Sequence, residues 1–259
     1  MTESKNTRLQ KQFSVLLVGD SCVDEYSYGS IDRLSPEAPV PILKFLMTTI
    51  NPGMAANVKE NLVAFGLDVA FITNSEKITK TRYVETRSGQ HLLRVDNDIE
   101  LLPWSGYHPA SLDEYDAIII SDYNKGFVTY EAIEKLRIDF QGPIFIDTKK
   151  RDLARFDGCY VKINESEYNA RTSSCENLIV TKGGHGAMYK DTLYPTVQQE
   201  VVDVCGAGDT FLAALAYEYL NTNCIVQSID FANKCSAITV GHRGVYSLSP
   251  EDIEKVKVL

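Results

Sequence analysis

A series of short apolar runs constrains the fold of this chain more than any other feature. Residues 13–19 (FSVLLVG), 69–73, 117–121 (AIIIS), 144–147, 160–163 and 178–181 are too short for helices and read as strands. The first is continuously apolar and closes on Gly19-Asp20, the mark of a strand buried on both faces, as in a parallel sheet. Helical segments lie between the runs. Residues 53–65 have helical periodicity and stop at Gly66, a natural C-cap. Residues 130–138 and 165–170 follow, then a long helix from Gly208 and another over 228–239. Strand–helix alternation predicts an α/β fold with a mainly parallel central sheet and helices on both faces. Residues 40–47 add a strand, and 81–86 with 90–95 form a hairpin around Ser88-Gly89 with one wet face. Residues 1–12 read as a flexible tail and 13–259 as a single domain, with no repeat or dividing linker.

Ligands of such sheets sit beyond the carboxyl ends of the strands. Asp20, Asp24, Asp122, Asp147, Asn164 with Glu167, and Lys182 all fall there. The chain has 259 residues and a net charge of −9, so it carries no global basic footprint for nucleic acid. No apolar run approaches the roughly 18 residues of a membrane span. The N-terminus lacks an apolar signal core. The six cysteines show no CxxC spacing and read as reduced thiols, so a cytoplasmic location is expected. The four histidines give no metal signature.

Residues 203–210 (DVCGAGDT) place two glycines, one carboxylate and the start of an apolar helix at one point. Free N–H groups and the helix dipole attract a phosphate there, and glycine lets the backbone approach it. The carboxylate of Asp209 suits removal of a proton from an attacking hydroxyl. The alternative is an Asp serving as helix N-cap. Asn164 and Glu167 share a helical face and could hold hydrated Mg²⁺, or could be a capping pair. The Gly-rich segment 181–186 permits close approach of a phosphorylated ligand, or is a tight hairpin between Ile179 and Met188. Asp20 and Asp24 could bind sugar hydroxyls, or be ordinary turn residues. Arg82, Arg87 and Arg94 could grip a phosphate, or form a solvated face. A GxxxxGK[ST] loop, a GxGxxG after the first strand and a GxSxG elbow are all missing.

The order of Asn164-x-x-Glu167, the 181–186 loop and Gly206-Ala207-Gly208-Asp209 resembles that of ribokinase-like (PfkB) carbohydrate kinases. Val18-Gly19-Asp20-x-x-x-Asp24-x-Tyr26-x-Tyr28-Gly29 and Arg33-Leu34-Ser35-Pro36-Glu37-Ala38-Pro39-Val40-Pro41 narrow the similarity. So do Lys80-Thr81-Arg82, residues 90–96 (QHLLRVD) and Ser121-Asp122-Tyr123-Asn124-Lys125-Gly126. They resemble the heptose-phosphate kinase branch, the kinase module of enzymes making ADP-heptose for lipopolysaccharide. The similarity runs from about residue 13 to 250.

The resemblance implies a three-layer ribokinase-like fold with a small β-lid at about 31–47 and 79–96, through which a homodimer could form. It implies ATP with Mg²⁺ and a sugar phosphate as ligands, with no nucleic acid or membrane partner. Asp209 takes the role of catalytic base, and Gly206, Ala207 and Gly208 that of anion hole. Asn164 and Glu167 govern Mg²⁺, through water. Lys182, Gly184 and Gly186 fall in the nucleotide loop and Asn233 near the adenine. Asp24, Gly53 and Asn57 match sugar positions, while Arg82, Arg94 or Lys125 would hold the substrate phosphate. The implied activity is ATP-dependent phosphorylation of a sugar hydroxyl, the anomeric hydroxyl of a heptose 7-phosphate. A kinase of another sugar, or a non-catalytic sugar- or nucleotide-binding relic, are the alternatives. The departures bear on the sugar. Met54 replaces the family's second glycine, and Cys205 its usual threonine. A helix and strand are omitted between Thr73 and Ser75, and the segment from Glu167 to Glu176 is shortened.

Overall fold

A computed structural model describes residues 12–106 and 111–258. The tail expected at 1–12 lies, apart from Gln12, outside the described residues. The central sheet holds β1 (Ser14–Gly19), β4 (Asp68–Thr73), β7 (Ala117–Asp122), β8 (Ile144–Thr148), β9 (Tyr160–Asn164), β10 (Leu178–Thr181), β11 (Ala187–Tyr189) and β12 (Thr192–Tyr194). Their order is β12-β11-β10-β9-β8-β7-β1-β4. Pairing is parallel from β4 to β10 and antiparallel from β10 through β12.

β1 shows why both faces are covered. Val15 and Leu17 join the core cluster containing residues of α1 (Ala55–Ala64), α4 (Ala207–Thr222), α5 (Ile225–Val240) and α6 (Pro250–Val258). Leu16 and Val18, one step out of phase, join the cluster containing Ile133 and Leu136 of α2 (Tyr130–Asp139). Alternate side chains of a strand point to opposite faces, so an unbroken apolar run needs a helix layer on each side. The expected three layers are therefore present. α4 is buried on all sides from Asp209 to Ala216. Gly19 lets β1 and β7 pass close to α1: a Cβ there would run into the Ser121 carbonyl and lie 2.7 Å from Ala55 Cβ.

The lid is a four-stranded sheet, β3-β2-β5-β6, built from β2 (Ser21–Leu34), β3 (Pro41–Met54), β5 (Thr79–Glu85) and β6 (His91–Asn97). The hairpin of β5 and β6 lies where expected. The first lid segment is longer than 31–47, because β2 alternates buried Cys22, Asp24 and Tyr26 with partly exposed residues. A carboxylate in the buried phase hides this strand from a reading based on apolar runs. Asp24 is consequently a mid-strand residue rather than part of a turn. Gly53 and Met54 likewise end β3, and the helix begins at Ala55. β4 lies where a strand was expected at 69–73, and is an edge strand with β1 as its neighbour and mostly half-buried residues. α6 and β12 were not expected. Among the described residues no helix is long and apolar enough to cross a membrane.

Met54, where lid meets core, has φ 58° and ψ −131° and is 4% exposed. Only glycine enters that backbone region without strain, which costs other residues about 1–3 kcal/mol. Met54→Gly and Met54→Ala both remove the side chain and differ in whether the strain persists. Chemical denaturation should find Met54→Gly the more stable of the two by about 1 kcal/mol or more. The opposite order would contradict the strained geometry.

Candidate active site

The N-terminus of α4 is set by Gly206, whose φ of 78° is left-handed and whose position before the helix carries no side-chain cap. A Cβ at Gly206 would also come within 2.9 Å of Asn57 Nδ2. Thr210 N–H is taken by Gly206 O at 2.9 Å, and the amides before it are those a helix leaves without an i−4 partner. The N-cap alternative for Asp209 does not hold. Asp209 sits inside the first turn, and its carboxylate turns away from the helix amides. Oδ2 accepts from Asn57 Nδ2 at 2.8 Å, and Oδ1 accepts from Tyr123 O–H at 2.8 Å.

Two cavities meet at this turn. One, of about 280 Å³, is lined by Gly184, Gly186 and Asn233 together with Ala207 and Gly208. The other, of about 360 Å³, lies under the lid and is lined by Asp24, Met54, Lys125, Lys149, Gly206 and Asp209. The helix turn is the partition between them. Gly186, at φ 98°, lets the Gly-rich loop fold against residues 194–196. Asn233 reaches across from α5, donating to Tyr194 O at 2.8 Å. Lys182 stands apart from this cavity and faces Glu165 at 3.8 Å.

Burial pushes the Asp209 carboxyl up to about 6, against the hydrogen bonds from Asn57 and Tyr123, which pull it down. Asp147 raises it further and Lys162 lowers it. The group is thus ionised at neutral pH yet more basic than an ordinary carboxylate, the property a general base needs. Beneath the turn, Lys162 Nζ pairs with Asp147 at 2.7 Å. A Cβ on Gly208 would come within 2.9 Å of that ammonium. Lys162 therefore places a buried positive charge against the helix start.

Asn164 and Glu167 form a complete capping box at α3 (Glu165–Ala170): Asn164 Oδ1 accepts from Glu167 N at 2.9 Å, and Glu167 Oε2 from Asn164 N at 2.8 Å. The capping alternative is realised, and Glu167 Oε1 remains for another partner. Burial pushes the Glu167 carboxyl up, while Lys162 and Lys149 draw it back. Among the described residues no group of three His, Cys, Asp or Glu could hold a metal unaided.

The lid side is dense with charge. Arg82 forms a buried ion pair with Asp24. Gly53 makes room for it: a Cβ would collide with the Asp24 carboxylate and lie 2.6 Å from Cys22 Sγ. Arg94 grips Asp96 through two nitrogens at 2.7 and 2.9 Å. Lys80 bridges Asp96 and Asp98 at 3.2 Å each, and Lys125 meets Asp98 at 2.5 Å. The solvated-face alternative therefore fits Arg87, which pairs at the surface with Asp32, but not buried Arg82.

Under the site lies a buried polar layer. Asp122 accepts from Thr148 Oγ1 at 2.6 Å and from Asn124 N at 2.9 Å, and pairs with Lys150 at 3.1 Å. Asp20 accepts from Lys125 N at 3.2 Å. Burial and the Asp122 charge push the Asp20 carboxyl up to about 6. These two carboxylates fix the loop that presents Tyr123 and Lys125. Sequence reasoning gave no role to Tyr123, Lys80, Lys149 or Lys162. A lysine inside the apolar run 160–163 was the one available signal for the last of them.

Residues 162–252 match the family described as pfkB family carbohydrate kinase. The chain is 29% identical to the "Bifunctional protein HldE" of Nitratiruptor sp. over 298 residues, covering 93% of this chain and 64% of that protein. It is 30% identical to the protein of the same description from Hyphomonas neptunium, covering 93% and 62%. The chain thus spans less than two thirds of the length of these curated relatives. The alignment is longer than the chain, so the relatives carry segments that this chain omits. The fold is similar to that of Escherichia coli phosphofructokinase-2 (TM-score 0.72, 14% identity, 95% and 98% of the two chains). It is also similar to Thermotoga maritima ribokinase (TM-score 0.68, 16% identity, 95% and 100%).

Linkage gives Asp209 a measurable signature. Its native pKa lies above the unfolded value, so the native state holds the extra proton between about pH 4 and pH 6, and stability from this group falls as pH rises through that window. Asp209→Asn removes the buried charge. Denaturation curves should show the variant more stable than the parent by about 1–3 kcal/mol at pH 7.5, with the gain vanishing near pH 4. A gain independent of pH would refute the burial of an ionised Asp209.

Proposed function

We propose that this chain, which carries a carbohydrate kinase domain of the pfkB family, phosphorylates a sugar phosphate at a hydroxyl, with the anomeric hydroxyl of a heptose 7-phosphate as the leading acceptor. The observation that carries the reading is the position of Asp209 on the partition between the two cavities. ATP would occupy the cavity of Gly184, Gly186 and Asn233, with its γ-phosphate at the amides of residues 206–208. The sugar would occupy the cleft under the lid. The acceptor hydroxyl gives its proton to Asp209, its oxygen forms a bond to the γ-phosphorus, the bond from that phosphorus to the β,γ-bridging oxygen breaks, and ADP leaves. The helix N-terminus and Lys162 stabilise the negative charge at this point. Mg²⁺, when bound, would neutralise phosphate charge; a cation held through few carboxylates and several waters fits the free Glu167 Oε1 near Asn164.

The lid charges support a phosphorylated acceptor. Lys80, Arg94 and Lys125 share Asp96 and Asp98, leaving one positive charge uncompensated among them. The exposed Arg94–Asp96 pair is worth little and reopens readily for a dianion, while Lys80 is buried at the base of the cluster. Arg82 is committed to Asp24, so it would shape the cleft rather than grip the phosphate. Asn57 would act on the sugar through Asp209, which it holds. Met54 lines the acceptor cleft with a thioether, an observation that favours a second reading, a sugar other than heptose.

ADP release over a panel of sugar phosphates tests the reading. Turnover with heptose 7-phosphate is expected, and Asp209→Asn should lose about 10²–10⁴-fold in kcat while ATP binding by calorimetry is kept. Turnover that survives the substitution sinks the base; bound ATP with no turnover on any sugar supports a relic. We also propose a homodimer through the lid, where Phe45, Leu46 and Ile50 of β3 and Leu93 of β6 are exposed. Sedimentation should find a dimer that Phe45→Asp with Ile50→Asp converts to monomer; a parent already monomeric at micromolar concentration rejects it.

A further inference from the structure

The kinase reading leaves Lys149 without a role. It follows β8, lines the lid-side cleft, and is the lining cation that lacks a carboxylate at ion-pair distance among the described residues. Its ammonium stands 4.6 Å from the centroid of the Tyr123 ring. The hydroxyl of the same ring donates to Asp209 Oδ1 at 2.8 Å. Lys149 and Asp209 are thus fixed at two parts of one half-buried tyrosine, at the partition and not at the far end of the cleft. The charge of Lys149 also draws the Glu167 carboxyl down. A cation–π contact orients an ammonium at small cost while leaving its donors free. The cluster of Lys80 on β5, Arg94 on β6 and Lys125 after β7 has its own excess charge for the acceptor's phosphate.

We propose that Lys149 is a catalytic cation that meets the transferring phosphoryl group, placed there by Tyr123. This rests on the kinase reading. Charge on the equatorial oxygens of the γ-phosphoryl group must be matched while its bond to the bridging oxygen breaks and the bond to the acceptor forms. The amides of residues 206–208 and Lys162 approach that group from the helix side, and Lys149 supplies a partner from the lid side.

The test compares Lys149→Met and Lys149→Arg with Arg94→Met. Lys149→Met should lower kcat about 100-fold with the acceptor KM within threefold, and Lys149→Arg should restore most of it. Arg94→Met should do the reverse, raising KM with kcat little changed. Calorimetry of ADP with Mg²⁺ and aluminium fluoride, a mimic of the transferring group, gives a readout without turnover. Affinity for this mixture should fall at least tenfold in Lys149→Met, while affinity for ADP alone is unchanged. A raised acceptor KM at constant kcat, or equal affinity of parent and variant for the aluminium fluoride complex, overturns the proposal. Absence of turnover on every sugar phosphate would refute the acceptor reading, and the aluminium fluoride titration would still decide Lys149.

Discussion

One buried carboxylate holds together three parts of the chain that are far apart in sequence. Asp209 of α4 accepts from Asn57 of α1 and from Tyr123 after β7. Leaving a charged group buried without partners would cost several kcal/mol, so each donor is obligatory once α4 is sunk into the core. The arrangement fixes the register of the core helix against α1 and against the sheet. Thr210, next in the chain, repeats the link through Asn61, and Thr239 of α5 extends it. The partners of Asp209 and the packing of the central helix are therefore one polar seam between two apolar clusters.

Charge is sorted by depth. Asp24 with Arg82 and Asp147 with Lys162 are buried and well paired, and serve to shape the walls. Removing one partner of such a pair costs about 3–5 kcal/mol, which makes them rigid. Arg94 pairs with exposed Asp96 at the rim and can change partners cheaply. A cleft with a stiff floor and an adaptable rim suits an acceptor that brings its own negative charge.

The parallel sheet was legible because its strands are continuous apolar runs. The lid was only half legible, since β2 buries a carboxylate and β3 exposes Phe45, Leu46 and Ile50, so neither shows the pattern of an ordinary strand. Gly206 and Asp209 could be found from spacing. Their partners could not, because Tyr123 and Asn57 reach Asp209 through tertiary contacts with no local pattern. The same limit applies to Asp24 and Arg82, whose pairing depends on β2 lying beside β5. Asn164 and Glu167 show the converse: the capping box was visible in the sequence, and its presence neither removes nor proves a second use.

The short joints between lid and core have a mechanical consequence. β1 passes into β2 through Asp20 alone, β3 ends at Met54 where α1 begins, and residues 74–78 join β4 to β5. Asn74 closes this end further, accepting from Ser21 N at 2.7 Å and donating to Ser21 O at 3.2 Å. Three short tethers stapled at one level leave no hinge at the base of the lid. Bending is displaced outward to the register shift between Tyr28 and Gly29, beyond Asp24. Only the tip of the lid is then free to swing, and the cleft residues nearest Asp209 keep their places whether the tip is open or closed.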